Sequence, residues 1–136
     1  MPSVNCVYHE ECVAKRHPLF AGLPPAGIMD WDQYGPLITN RCFEGQDTPE
    51  DVAAAAFAIC HSSRPDGYAA GVMLAAYSLG AGKILLNTFN LLDQVDQHPA
   101  ADRLLLNLMA YAAESTKSPP APVPDDFETV IKELGY

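Results

Sequence analysis

Charge is scarce in this sequence: 18% of its 136 residues are Asp, Glu, Lys or Arg, while 49% are hydrophobic. A globular monomer usually carries about a quarter charged residues, so part of the surface is expected to lie against a partner. Basic charge is scarcer still, with 8 Lys and Arg against 17 Asp and Glu and a formal net charge of −9. No cluster of Lys and Arg occurs, which argues against nucleic acid or an anionic membrane as partner. Long apolar runs are missing as well. No stretch reaches the ~18 uninterrupted residues that a membrane-spanning helix needs. The opening MPSVNCVYHEECVAKRH lacks the apolar core of a secretory signal. Without such a signal, Cys6, Cys12, Cys42 and Cys60 read as reduced thiols rather than a disulfide framework. The expectation is a soluble, cytoplasmic, globular protein.

What the sequence does have is a core between Gly67 and Glu114. Val72–Leu79 and Lys83–Phe89 are apolar runs joined by Gly80-Ala81-Gly82, a hairpin signal. Their near-continuous hydrophobicity implies strands covered on both faces. After the loop NLLDQVDQ, Pro99 opens a helix that runs to Ser115. Its apolar residues lie almost all round, with Leu104, Leu105 and Leu108 on one side and Leu106 and Ala110 on another. A helix apolar all round is buried all round, and a chain this small can hardly achieve that alone. A homo-oligomer is therefore expected.

Around this core the elements are shorter. Residues 5–16 read as a short helix, ended at His17-Pro18 because the residue before proline is pushed out of the helical region. Residues 28–43 read as short extended pieces broken by Gly35-Pro36. In QDTPEDVAAAAFAIC, Thr48, Pro49, Glu50 and Asp51 are good helix-start residues. The following run is nonetheless short and bounded by turn residues, as a buried strand would be. The reading is a strand preceded by a helical turn. A stiff proline linker, 118–124, separates a globular unit, 1–117, from a C-terminal amphipathic helix, 125–136. The fold class is α/β or α+β: a small, mainly antiparallel sheet around the 72–89 hairpin, packed with helix 99–115.

Asp30-Trp31-Asp32 followed by Tyr34 is the most suggestive chemical cluster. In an extended segment, residues two apart face the same way, so both carboxylates would share one side. Glycoside hydrolysis uses two carboxylates about 5–9 Å apart, and rings such as Trp31 and Tyr34 can stack on sugars. The commoner use of such residues is structural, with aspartates capping turns and rings filling the core. His98 and Asp102 are four apart at the start of the long helix and can meet on one face, with Asp93 and Asp96 nearby. Capping is again the commoner role. Cys6, His9, Cys12 and Cys60-His61 match no standard zinc-ligand spacing. Gly80-Ala81-Gly82-Lys83 lacks the spacing and the following Ser or Thr of a phosphate loop, and reads as a turn. No metal and no cofactor are expected.

The core run, with its segments GKILLNTFNLL and HPAADRLLLNL, resembles the C-terminal region of bacterial glycoside hydrolase family 2-like proteins, relatives of β-galactosidase. HPLFAGLPPAGIMDWDQYGPLI resembles the same region, in the same order. The resemblance implies the later half of a glutamine-amidotransferase-like, flavodoxin-like accessory domain, and one that would complete its sheet by self-association. It brings no catalytic glutamate, because the family's barrel has no counterpart here. The matched positions are His17, Asp30, Trp31, Tyr34, Asn87, His98 and Asp102, with no role implied for any of them. The expected function is a carbohydrate-enzyme-related domain acting in assembly or sugar binding. The alternative is a small stand-alone glycosidase with its site at an oligomer interface. The candidates are thus Asp30, Asp32, His98 and Asp102 for catalysis, and Trp31, Tyr34 and Asn87 for substrate binding.

Overall fold

A computed structural model describes residues 9–24, 27–39, 41–59, 67–79, 82–117 and 125–133. Five strands form one antiparallel sheet: β1 (His9–Ala14), β2 (Gly27–Ile28), β3 (Asp51–Ile59), β4 (Tyr68–Leu79) and β5 (Gly82–Asn87). Their spatial order is β2-β1-β3-β4-β5. The helices are α1 (Trp31–Tyr34), α2 (Pro99–Ser115) and α3 (Phe127–Glu133), with 3-10 turns at Pro18–Phe20 and Leu92–Gln94. This is the expected mainly antiparallel sheet packed with the 99–115 helix. Every pair of neighbouring strands runs antiparallel, whereas a flavodoxin-like sheet is parallel.

The β4–β5 hairpin and α2 arise where the sequence places them. His98 caps α2 through its ring, which accepts from the Ala100 amide, and Pro99 occupies the first turn. The alanine run 53–56 lies within β3, as read. The helical turn expected before it is replaced by irregular chain at residues 46–49. Glu50 and Asp51 are held by side chains instead of a helix dipole: Lys83 and Ser78 donate to Glu50, and Lys15 donates to Asp51.

Three further expectations are corrected. Residues 9–14 are a strand, not part of a helix, because β3 needs a second partner and β1 pairs with it from His9↔Ile59 to Ala14↔Ala54. Residues 28–43 are not simply extended: Asp30 caps a helical turn, accepting from the Asp32 amide at 2.7 Å. The third correction concerns the faces of the sheet. Cys12, Ala14, Ala54, Ala56 and Leu74 share the inner face by register. There Ala14, Ala54 and Leu74 join Leu19, Leu37, Ala101 and Leu104 in one core. The opposite face carries Val13, Phe57, Val72 and Tyr77, all only partly buried. Ile84 and Leu79 are 42% and 53% exposed there. The outer face of the hairpin is therefore covered only in part, with Ala75 buried there and Leu79 and Ile84 open. The 118–124 linker, the Gly80-Ala81 turn tip, Cys6 and Cys60-His61 lie outside the described residues.

Candidate functional site

Register shifts between Val52 and Ala54, and between Ala54 and Ala55, bend the middle of β3 against β4. On the core side of this irregularity the inner face is packed. Farther along, the floor consists of Cys12, Ala56, Ala58, Ala69 and Gly71, and a cleft of about 650 Å³ opens above it. Small side chains give that floor its depth. Met29 and Ile38 form apolar walls, Trp31 and Ile28 stand at the rim, and Asp30, Thr39, Arg41 and Glu44 supply polar groups. Trp31 is 69% exposed and Ile28 67% exposed, an unusual position for two large apolar side chains beside a cavity.

One wall exists because of a glycine. Phe43 exchanges two backbone hydrogen bonds with Val72, at 2.9 and 2.8 Å, continuing the sheet beyond the end of β5. That pairing lays Cys42 directly over Gly71, where a Cβ atom would lie 2.4 Å from the Cys42 Sγ and 2.8 Å from the Phe43 carbonyl oxygen. Only glycine permits so close an approach. The Cys42 thiol in turn donates to the Glu44 carboxylate at 3.8 Å.

The structure divides the candidate residues. Asp30 and Trp31 line the cleft. Asp32 lies exposed on α1. The same-side pairing of Asp30 and Asp32 read from an extended segment is thereby corrected to a helix cap and a first-turn acid. Tyr34 is 2% exposed and packs edge-on against Phe20 at 6.3 Å, so it belongs to the core. Its hydroxyl has no hydrogen-bond partner among the described residues, and burial pushes its pKa up. Asn87 closes a turn at the end of β5: its side chain accepts from the Phe89 amide and donates to the Phe89 carbonyl, both at 3.1 Å. His98 caps α2. Asp102 accepts from the amide of Asp96 at 2.9 Å and so holds that residue at φ 62°. None of Asp32, Tyr34, Asn87, His98 and Asp102 lines the cleft.

A second polar constellation was illegible in the sequence. Asp51, at the start of β3, accepts from Lys15 at 2.6 Å and lies 2.5 Å from His17 Nε2. Tyr111 of α2 donates to the same carboxylate at 3.4 Å. The His17 side chain is 5% exposed, and its Nδ1 accepts from the Leu19 amide at 3.1 Å. An accepting Nδ1 leaves Nε2 as the nitrogen that carries the proton toward Asp51. Both ring nitrogens are thus spent on the fold. Lys15, with His17 behind it, holds the Asp51 carboxyl down to about 2 against the ordinary 3.8. Burial and the neighbouring carboxylate push Tyr111 up. An Asp51 held anionic at neutral pH and a doubly engaged His17 make a poor proton shuttle. The constellation is a clasp joining the chain just after β1 to β3 and α2.

Over residues 11–131 the sequence matches the family described as a domain of unknown function, DUF8487. The chain belongs to that family. Within the DUF8487 match lie every cleft residue named above and every member of the Asp51 clasp. No curated protein and no solved structure matches. Among the described residues, no group of three or more His, Cys, Asp and Glu side chains is placed to hold a metal ion, and no helix is long and apolar enough to cross a membrane.

Proposed function

We propose that this domain is a non-catalytic binding module whose cleft takes a small ring-shaped ligand, with a sugar ring as the ligand class. The observation that carries the reading is the exposed indole of Trp31 at the rim of an alanine- and glycine-floored cleft. A flat apolar floor accepts the face of a ring. An indole beside it offers a stacking surface, and Asp30, Arg41 and Glu44 offer hydrogen bonds to hydroxyls at the edges. The resemblance of the core run to the accessory region of family 2 glycoside hydrolases supports the carbohydrate class and a role in assembly or sugar binding.

Trp31 is the chain's single tryptophan, so its fluorescence reports on the cleft alone. Titration with galactosides and glucosides is expected to shift the emission to the blue as stacking excludes water. Affinity should fall about tenfold or more in Trp31→Ala, read by calorimetry, for a loss of about 1.5 kcal/mol. An emission spectrum unmoved by every sugar in the panel rejects the carbohydrate class.

The stand-alone glycosidase is the second reading, favoured by Asp30 and Glu44 lining one cleft. It requires turnover of nitrophenyl β-galactoside or a related substrate. That turnover must disappear in Asp30→Asn or Glu44→Gln. Turnover in the unmodified chain that vanishes in either variant moves the assignment from binding module to enzyme.

A further inference from the structure

The buried stripe of α2 is Ala100, Ala101 and Leu104, flanked by the half-buried Leu108 and Tyr111. At about 100° per residue, the side chains opposite that stripe are Asp102, Leu106, Met109, Ala113 and Lys117. Leu106 is 59% exposed and Met109 63% exposed. Their spacing of three and four residues is that of a seam between two packed helices. Two large apolar side chains sit in the middle of this seam. Ala110 and Ala113 stand beside them and are exposed as well.

We propose that this seam is the docking surface for a second copy of the chain, the two α2 helices lying antiparallel about a two-fold axis near Met109 and Ala110. The pattern is self-complementary in that arrangement. Leu106 meets Ala113 of the second copy, and Met109 meets Ala110, so each large side chain faces a small one on both sides of the axis. Charge follows the same symmetry. Asp102 lies toward the helix start and Lys117 just past its end, about 22 Å apart at 1.5 Å per residue. Antiparallel pairing brings each beside its opposite in the other copy. Among the described residues the Lys117 ammonium pairs with Glu114 of its own turn, with both side chains more than 70% exposed, so it can reach across without losing a buried partner. The opposed signs at the two ends favour the antiparallel arrangement over the parallel one, which would set Asp102 against Asp102.

One helix from each copy makes a small interface, so the dimer is weak and reversible. Sedimentation of the full chain in about 0.15 M salt should show a monomer–dimer equilibrium at micromolar concentration. Leu106→Glu and Met109→Glu, at exposed positions that leave the core intact, should raise the dissociation constant about a hundredfold or more each, with the far-UV spectrum unchanged. Lys117→Glu should weaken the dimer less. Leu79→Glu, on the half-open face of the sheet, should leave the equilibrium unchanged. A chain that stays monomeric at about 0.5 mM, where even millimolar affinities register, overturns the proposal. So does a dimer that survives both helix substitutions, or one that dissociates with Leu79→Glu.

Discussion

Asp51 gathers contacts from far along the chain: Tyr111, Lys15 and His17 lie 60, 36 and 34 residues from it. An acid just before a run of alanines carries no sign of such partners, so the sequence offers only the local reading of a helix start. Geometry assigns it to stability. Its carboxyl is lowered from 3.8 to about 2, so the folded state favours the anion. The stabilisation is therefore fully present above the unfolded value near 4. It is lost as pH falls through the folded value near 2. Asp51→Asn should cost up to about 2 kcal/mol at neutral pH, since the Asp51 side chain is 28% exposed and Lys15 is 58% exposed. In urea unfolding followed from pH 7 to pH 2, the gap between parent and variant should close below about pH 4. A gap that persists at pH 2 would mean that packing, not charge, makes the difference.

At the scale of the element, the signals that could be read were those written within a few residues. The His98-Pro99 start of α2 is one. The apolar runs on either side of a glycine turn, which became β4 and β5, are another. β1 was misread because its strand character is supplied by β3, some forty residues later, rather than by its own composition. The outer face of the hairpin was misread for a different reason. Hydrophobic residues on both faces say that a strand can be covered twice, not that one chain covers it. At the candidate site, local reading found Asp30 and Trp31 but not the cleft, whose floor depends on Gly71 meeting Cys42 across the sheet edge. His98 separates the catalytic from the structural interpretation of the helix start. His98→Ala removes the acceptor for the Ala100 amide and should cost about 1 kcal/mol of stability. It should leave the Trp31 fluorescence titration unchanged, because His98 does not line the cleft. A loss of ligand binding without a loss of stability would return His98 to the site.

For the whole molecule, scarce charge and a strong sign combine to a definite salt response. With a formal charge of −9, folding gathers like charges into a small volume, and their repulsion opposes compaction. Salt screens that repulsion, since the Debye length falls from about 30 Å at 0.01 M to about 8 Å at 0.15 M. The same salt also weakens attractive pairs. Those described outside the Asp51 clasp are Lys83–Glu50 and Lys117–Glu114. Exposed pairs of this kind are worth about 0–1 kcal/mol each, and Lys117 and Glu114 are 71% and 72% exposed. The clasp is better shielded, because the His17 side chain is 5% exposed. Relief of repulsion should therefore outweigh the loss of pairing. The melting temperature, read by circular dichroism at low protein concentration where the proposed dimer is dissociated, should rise by a few degrees between about 0.01 and 0.15 M sodium chloride. At high protein concentration the rise should be larger, because two copies each carrying −9 must meet before the α2 seam can close. A melting temperature that falls with salt at both concentrations would make the ion pairs, rather than the excess acidity, the dominant electrostatic contribution to this fold.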